Sequence, residues 1–127
     1  MRTAAIMVAM TLALPAHAFQ ARNGMTVTPS GGQEFVVRYD SKAADADYWC
    51  AAGDFAQRSL GLASKTRVYR VSPTPRKAGQ GISFTLDAAE ASGQTGITTF
   101  GGLDDGAFSA GGAAASFCEN FRFPRLF

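Results

Sequence analysis

The sequence predicts an α+β fold: a small antiparallel sheet of four or five strands packed on one main helix and tied by one disulfide. Three observations predict it. Short alternating runs flank a single long segment of helical period, in the order β-β-α-β-β. Two cysteines, Cys50 and Cys118, permit one intramolecular pairing. Ten Phe, three Tyr and one Trp supply ample aromatic surface for burial in a chain of 127 residues.

The first element is a leader. Arg2 is followed by an apolar run from Ala4 to Leu14 and by Ala16-His17-Ala18, a small-x-small cleavage pattern. Residues 1–18 therefore read as a secretory signal peptide and residues 19–127 as a single α+β domain. The apolar run spans about eleven residues, against about twenty for a membrane-crossing helix, so the mature chain carries no transmembrane segment. No cysteine follows the cleavage site to take a lipid, and no Arg-Arg pair precedes the apolar run. The expected location is the periplasm or the cell exterior.

Beyond Asn23-Gly24, a turn signal, Met25-Thr26-Val27-Thr28 alternates as a first strand and stops at Pro29-Ser30-Gly31-Gly32. A second strand, Glu34 to Tyr39, is β-branched and aromatic, and the four-residue connection makes a hairpin the simplest pairing. Asp40 and Ser41 offer helix caps, with Asp45 and Asp47 near the positive end of the helix dipole. From Lys42 to Leu60 the apolar residues Tyr48, Trp49, Ala52, Phe55, Ala56 and Leu60 recur at helical spacing, and Gly61 supplies the C-terminal cap. Gly53 weakens that helix and marks a close approach by another backbone, expected to be the one bearing Cys118.

The run from Thr66 to Val71 alternates strictly, with Val68 and Arg70 on one face and Arg67, Tyr69 and Val71 on the other. A proline-bearing loop follows, and residues 82–86 form the next strand, with Ile82, Phe84 and Leu86 on one face. From Gly93 to Gly112 seven glycines blur the pattern, leaving an irregular loop with a short strand at 97–100. Ser109 caps a brief alanine-rich helix toward Cys118, weakened by Gly111-Gly112, and residues 121–127 read as an extended aromatic tail. No repeat appears at a fixed period.

An oxidising compartment favours a Cys50–Cys118 disulfide over free thiols, and no Cys-x-x-Cys spacing suggests redox or zinc chemistry. Closing that loop removes unfolded-state entropy worth about 4 kcal/mol in the chain-entropy treatment.

Cleavage also removes His17, the only histidine, and with it the usual general base and metal ligand. Loss of Arg2 leaves basic and acidic side chains nearly balanced, and no basic stripe marks a nucleic-acid surface. The carboxylate neighbours Asp45 with Asp47, and Asp104 with Asp105, do not make a facing acid–base pair. Neither aspartate group matches a calcium loop, and the Gly-rich stretches lack a phosphate-loop lysine. No cofactor or metal is expected.

Tyr48-Trp49-Cys50-Ala51-Ala52-Gly53-Asp54 is the most distinctive string, with Trp49 read as a core anchor beside the disulfide. With the arginine–tyrosine strand and the Pro-Arg loop after it, the chain resembles small exported bacterial proteins of unassigned function. The resemblance covers most of residues 19–127 and implies export, with no activity attached.

The best binding candidates are the cations Arg70, Arg76 and Lys77, since a guanidinium fork suits carboxylate or phosphate. Arg67 falls on the opposite strand face from Arg70, so only one of the two joins a patch with the loop. The expected function is an exported, non-enzymatic binding or structural module facing a protein, an envelope component or a small ligand. Its rivals are a small hydrolase or lyase using Asp/Glu acid–base chemistry, and an inhibitor or accessory subunit inserting the 73–81 loop.

Overall fold

A computed structural model describes residues 18–97 and 106–122. The expected leader up to His17, the remainder of the strand expected at 97–100, and tail residues 123–127 lie outside the described residues. The described chain forms strands β1 (Phe19–Gln20), β2 (Thr26–Gly31), β3 (Glu34–Val37), β4 (Arg67–Arg70), β5 (Ile82–Thr85) and β6 (Ala107–Ser109). Its helices are α1 (Asp45–Asp54), continued by a π-helical segment Phe55–Ser59, and α2 (Ala110–Arg122), with a 3-10 turn at Ala88–Glu90.

The fold class is α+β with one antiparallel sheet and one disulfide, as the alternation and the cysteines predict. The element count is corrected. The sheet has six strands in the order β1-β2-β3-β5-β4-β6, and two helices accompany it instead of one. Strand β5 sits between β3 and β4, so the 73–81 loop joins neighbouring antiparallel strands as a wide hairpin connection.

Pro29 does not end β2. Strand β1 pairs only with Thr26 and Val27, so Pro29 lies farther along the edge, exposed, where its missing N–H leaves no neighbouring strand unsatisfied. A register shift between Pro29 and Gly31 then brings Gly31 opposite Glu34, and the connection tightens to Gly32-Gln33. Alternation delivers Val27, Phe35, Val37, Val68, Ile82 and Phe84 to the buried face. Against them α1 sets Tyr48, Trp49, Ala52, Phe55 and Ala56. Trp49 meets Phe84 and Phe108 edge-on, with ring centroids 4.8 Å apart in both pairs.

Helix α1 begins later than the cap residues Asp40 and Ser41 suggest, with Ala44 at its N-cap. Asp40 instead accepts the Lys42 amide at 2.9 Å in a preceding turn, and Asp47 accepts the Ala44 amide at 2.8 Å. At the other end Gly61 takes φ 68°, and the Leu62 amide reaches the Ala56 carbonyl at 3.0 Å. Leu60, placed by period on the apolar face, is 43% exposed because the π-helical turn rotates the register after Asp54.

Ser109 caps α2 as its sequence suggests, its hydroxyl accepting the Gly112 amide at 3.0 Å. The helix runs through Arg122, so Phe121 and Arg122 are helical and not extended. Its glycines are contact residues. A Cβ on Gly111 would strike the Ser64 side chain, and one on Gly53 of α1 would lie 2.6 Å from the Ala110 carbonyl oxygen. That approach lets Cys50 and Cys118 bond across the two helices, as expected.

Candidate functional site

The sequence-derived candidates Arg70, Arg76 and Lys77 do converge on one end of the molecule, but they play three different parts. Arg70 lies on the buried face of β4 beside Val68 and is fully enclosed. An enclosed guanidinium needs every N–H occupied and its charge met. Its Nη1 donates to Asp45 Oδ2 at 2.9 Å and to the Thr95 carbonyl at 3.2 Å. Its Nε donates to the Ser72 carbonyl at 2.8 Å, and its Nη2 to that of Pro73 at 3.2 Å. Arg70 therefore has no surface to offer a ligand; it is the post to which the loop is tied.

Arg76 is the second anchor, with a fifth of its side chain still open to solvent, at 20% exposure. Its guanidinium stands over the rings of Tyr48 and Tyr39, with centroids at 5.1 and 5.7 Å. Nη1 donates to the Gln80 carbonyl at 3.1 Å and, at the limit of a hydrogen bond, to that of Lys77 at 3.4 Å, curling the loop around its own arginine. Nε faces Asp45 Oδ1 at 3.8 Å and has no hydrogen-bond partner. Tyr48 is held in turn, accepting the Asp40 amide at 3.1 Å.

Asp45 is thus shared. One carboxylate in the first turn of α1 faces the buried Arg70 at 2.9 Å and Arg76 at 3.8 Å. The closer, enclosed guanidinium takes most of that charge, because leaving it unmatched would cost far more than leaving Arg76 partly unmatched. Lys77, next in the chain, is exposed. The cleft of about 130 Å³ between these groups is lined by Ser72, Pro73, Arg76, Lys77, Gln80 and Gly81. A Cβ on Gly81 would collide with the Val37 carbonyl, so the loop closes against the sheet only at glycine. The Thr74–Pro75 bond is cis, and the Thr74 hydroxyl donates to Gln94 Oε1.

Of the other aspartates raised by the sequence, Asp104 and Asp105 lie outside the described residues, and Asp47 and Asp54 are occupied. Asp47 serves the helix start. Asp54, fully buried at the end of α1, accepts the Arg22 amide at 2.8 Å and both Arg58 Nε and Nη2 at 2.7 Å. Burial opposes its ionisation, but the Arg58 bonds, the Arg22 amide and both positive charges outweigh that and hold its carboxyl below the ordinary range. The same bonds push Arg58 upward. Among the described residues no group of three His, Cys, Asp or Glu side chains is placed to hold a metal ion.

Sequence reading missed Asp45 and Tyr48 as partners of the loop. Their three-residue spacing on a helix start was a usable signal for one shared face. What was lacking was the knowledge that β4 ends beneath that face. Comparison of the chain with protein families, curated proteins and solved structures returns no match to any of them. The site's chemistry rests on its own side chains.

Proposed function

We propose that this protein is an exported, non-enzymatic binding module, and that the cleft of the 73–81 loop takes an anionic group of its partner. The carrying observation is the shared carboxylate: Asp45 serves two guanidiniums, and Lys77 adds a third cation beside them. Positive charge is therefore in excess along the open edge of the cleft. A carboxylate or phosphate docking there meets the free edge of Arg76 and the Lys77 ammonium.

Pre-organisation supports the reading. Arg76 is already stacked on two tyrosines, and Arg70 fixes the start of the loop through Ser72 and Pro73, so little ordering is needed on binding. The disulfide suits an oxidising compartment, and no described helix is long and apolar enough to cross a membrane. The rival acid–base reading finds Asp45 engaged by Arg70, Asp47 by the Ala44 amide, and Asp54 by Arg22 and Arg58.

Equilibrium binding to an oligo-glutamate peptide, compared with an oligo-lysine peptide, tests the proposal. The expected result is salt-sensitive binding of the acidic peptide alone, weakened about tenfold by Lys77→Glu. Equal binding by the variant would remove the site from this loop.

A further inference from the structure

The cationic loop has a counterpart on the same molecule, and we infer that the two meet between copies of this chain. The inference rests on the reading of the loop as anion-seeking and names its partner.

Strands β3 and β5 run antiparallel with Val37 opposite Ile82 at one end and Glu34 opposite Thr85 at the other. The 73–81 loop enters β5 at the Ile82 end. At the Glu34 end lie two hollows that share Gly32, Gln33 and Glu34. One, of about 250 Å³, is floored by Pro29, Phe35, Phe55, Leu60, Leu62 and Leu86. The other, also about 250 Å³, bears the carboxylates of Glu34, Asp87 and Glu90. Among the described residues no arginine or lysine pairs with those three carboxylates. The Asp87 carboxylate accepts only the amide of Ala89, as a cap to the 3-10 turn.

The two ends are complementary in polarity as well as in charge. The hollow offers an apolar floor, with Leu60 43% exposed, beside an acidic wall. The loop offers exposed Pro73 and Pro75 beside exposed Lys77. Proline rings suit the floor, and Lys77 with the open edge of Arg76 suits the wall. A small amine would bring one positive charge to three carboxylates, whereas the loop brings two. Each contact joins unlike surfaces, so a pair keeps one free loop on one copy and one free hollow on the other. Growth is therefore head to tail, as an open chain or a closed ring. Such a contact is small, and its association is weak and salt-dependent.

Weight-average mass of the full chain, measured by sedimentation over a wide concentration range at about 20 and about 500 mM salt, tests this. At low salt the mass is expected to climb past that of a dimer, and at high salt to return to the monomer. Lys77→Glu alone, or Glu34→Lys with Glu90→Lys, is expected to weaken association about tenfold, and the chain carrying all three exchanges to regain it. A wild-type chain that stays monomeric, or a triple exchange that does not regain association, overturns the inference. Lys77→Gln and Glu90→Gln repeat the comparison if a charge reversal does not fold. A monomeric chain that still binds oligo-glutamate at the loop leaves the site standing and removes only the self-association. Association unchanged by Lys77→Glu removes the loop from both. A basic peptide that fills the hollow of a strictly monomeric chain assigns the hollow to another partner, against the inference.

Discussion

Asp54 and Arg58 form a two-pronged ion pair across the boundary between α1 and its π-helical continuation, with both N–H···O distances 2.7 Å. The carboxylate is fully buried while the arginine is half exposed, and the Arg22 amide closes the other side. The pair fastens the end of α1 to the segment after β1.

This relationship sets an acid limit on the fold. Asp54 titrates below its unfolded value, so the folded chain binds fewer protons there than the unfolded chain. Its stabilisation is complete above the ordinary aspartate pKa of about 3.9 and is lost as pH falls through the depressed folded value. Urea unfolding between neutral pH and pH ~2.5 is expected to show that loss, and Asp54→Asn to flatten it. At neutral pH the variant is expected to lose about 2 kcal/mol, the scale of hydrogen bonds to a charged group.

Arg70 and Arg76 are expected to separate on stability. Arg70→Met leaves Asp45 short of its nearest cation and the Ser72 and Pro73 carbonyls without their guanidinium donor, while the Thr95 carbonyl keeps the Trp49 indole N–H at 2.9 Å, and is expected to cost about 3–5 kcal/mol. Arg70→Lys keeps the charge but not the fork, and is expected to cost about half as much. Arg76→Ala removes one stacked, partly open guanidinium and is expected to cost about 1 kcal/mol. Chemical denaturation of the three variants checks the order.

Gly53→Ala is expected to destabilise despite alanine's better helix propensity. The added methyl would sit 2.6 Å from the Ala110 carbonyl, so α2 must move away from α1. A net loss of about 1–2 kcal/mol, read as a lowered unfolding temperature, outweighs the gain of about 1 kcal/mol from propensity.

Reduction of Cys50–Cys118, or replacement of both by alanine, is expected to cost about 2–5 kcal/mol, since the bond closes a separation of 68 residues. Comparison of unfolding midpoints with and without reductant checks it.

Much of this fold was legible because alternation and helical period are local. Val68 with Arg70, and Tyr48 with Trp49, Phe55 and Ala56, occupy the faces that spacing assigns them. Helix α2 was obscured because Gly111 and Gly112 lower local propensity, whereas in the fold Gly111 makes room for Ser64. Strand β6 was hidden for a similar reason: three residues, Ala107–Ser109, gain their strand character only from pairing with Arg67, Val68 and Tyr69. Of the candidate site, the meeting of Arg76 with the loop cleft was readable from the chain. The burial of Arg70 was not, because its partner Asp45 stands 25 residues away.

In the proposed site the 73–81 loop binds an anionic group through Arg76 and Lys77. Amide-resolved NMR titration of the full chain with oligo-glutamate tests it most directly. The expected shifts concentrate at Ser72, Lys77, Gln80 and Gly81, saturate at low salt, and need about ten times more peptide in Lys77→Glu while the rest of the spectrum is unchanged. Shifts that fall elsewhere, or that persist undiminished in the variant, would contradict it.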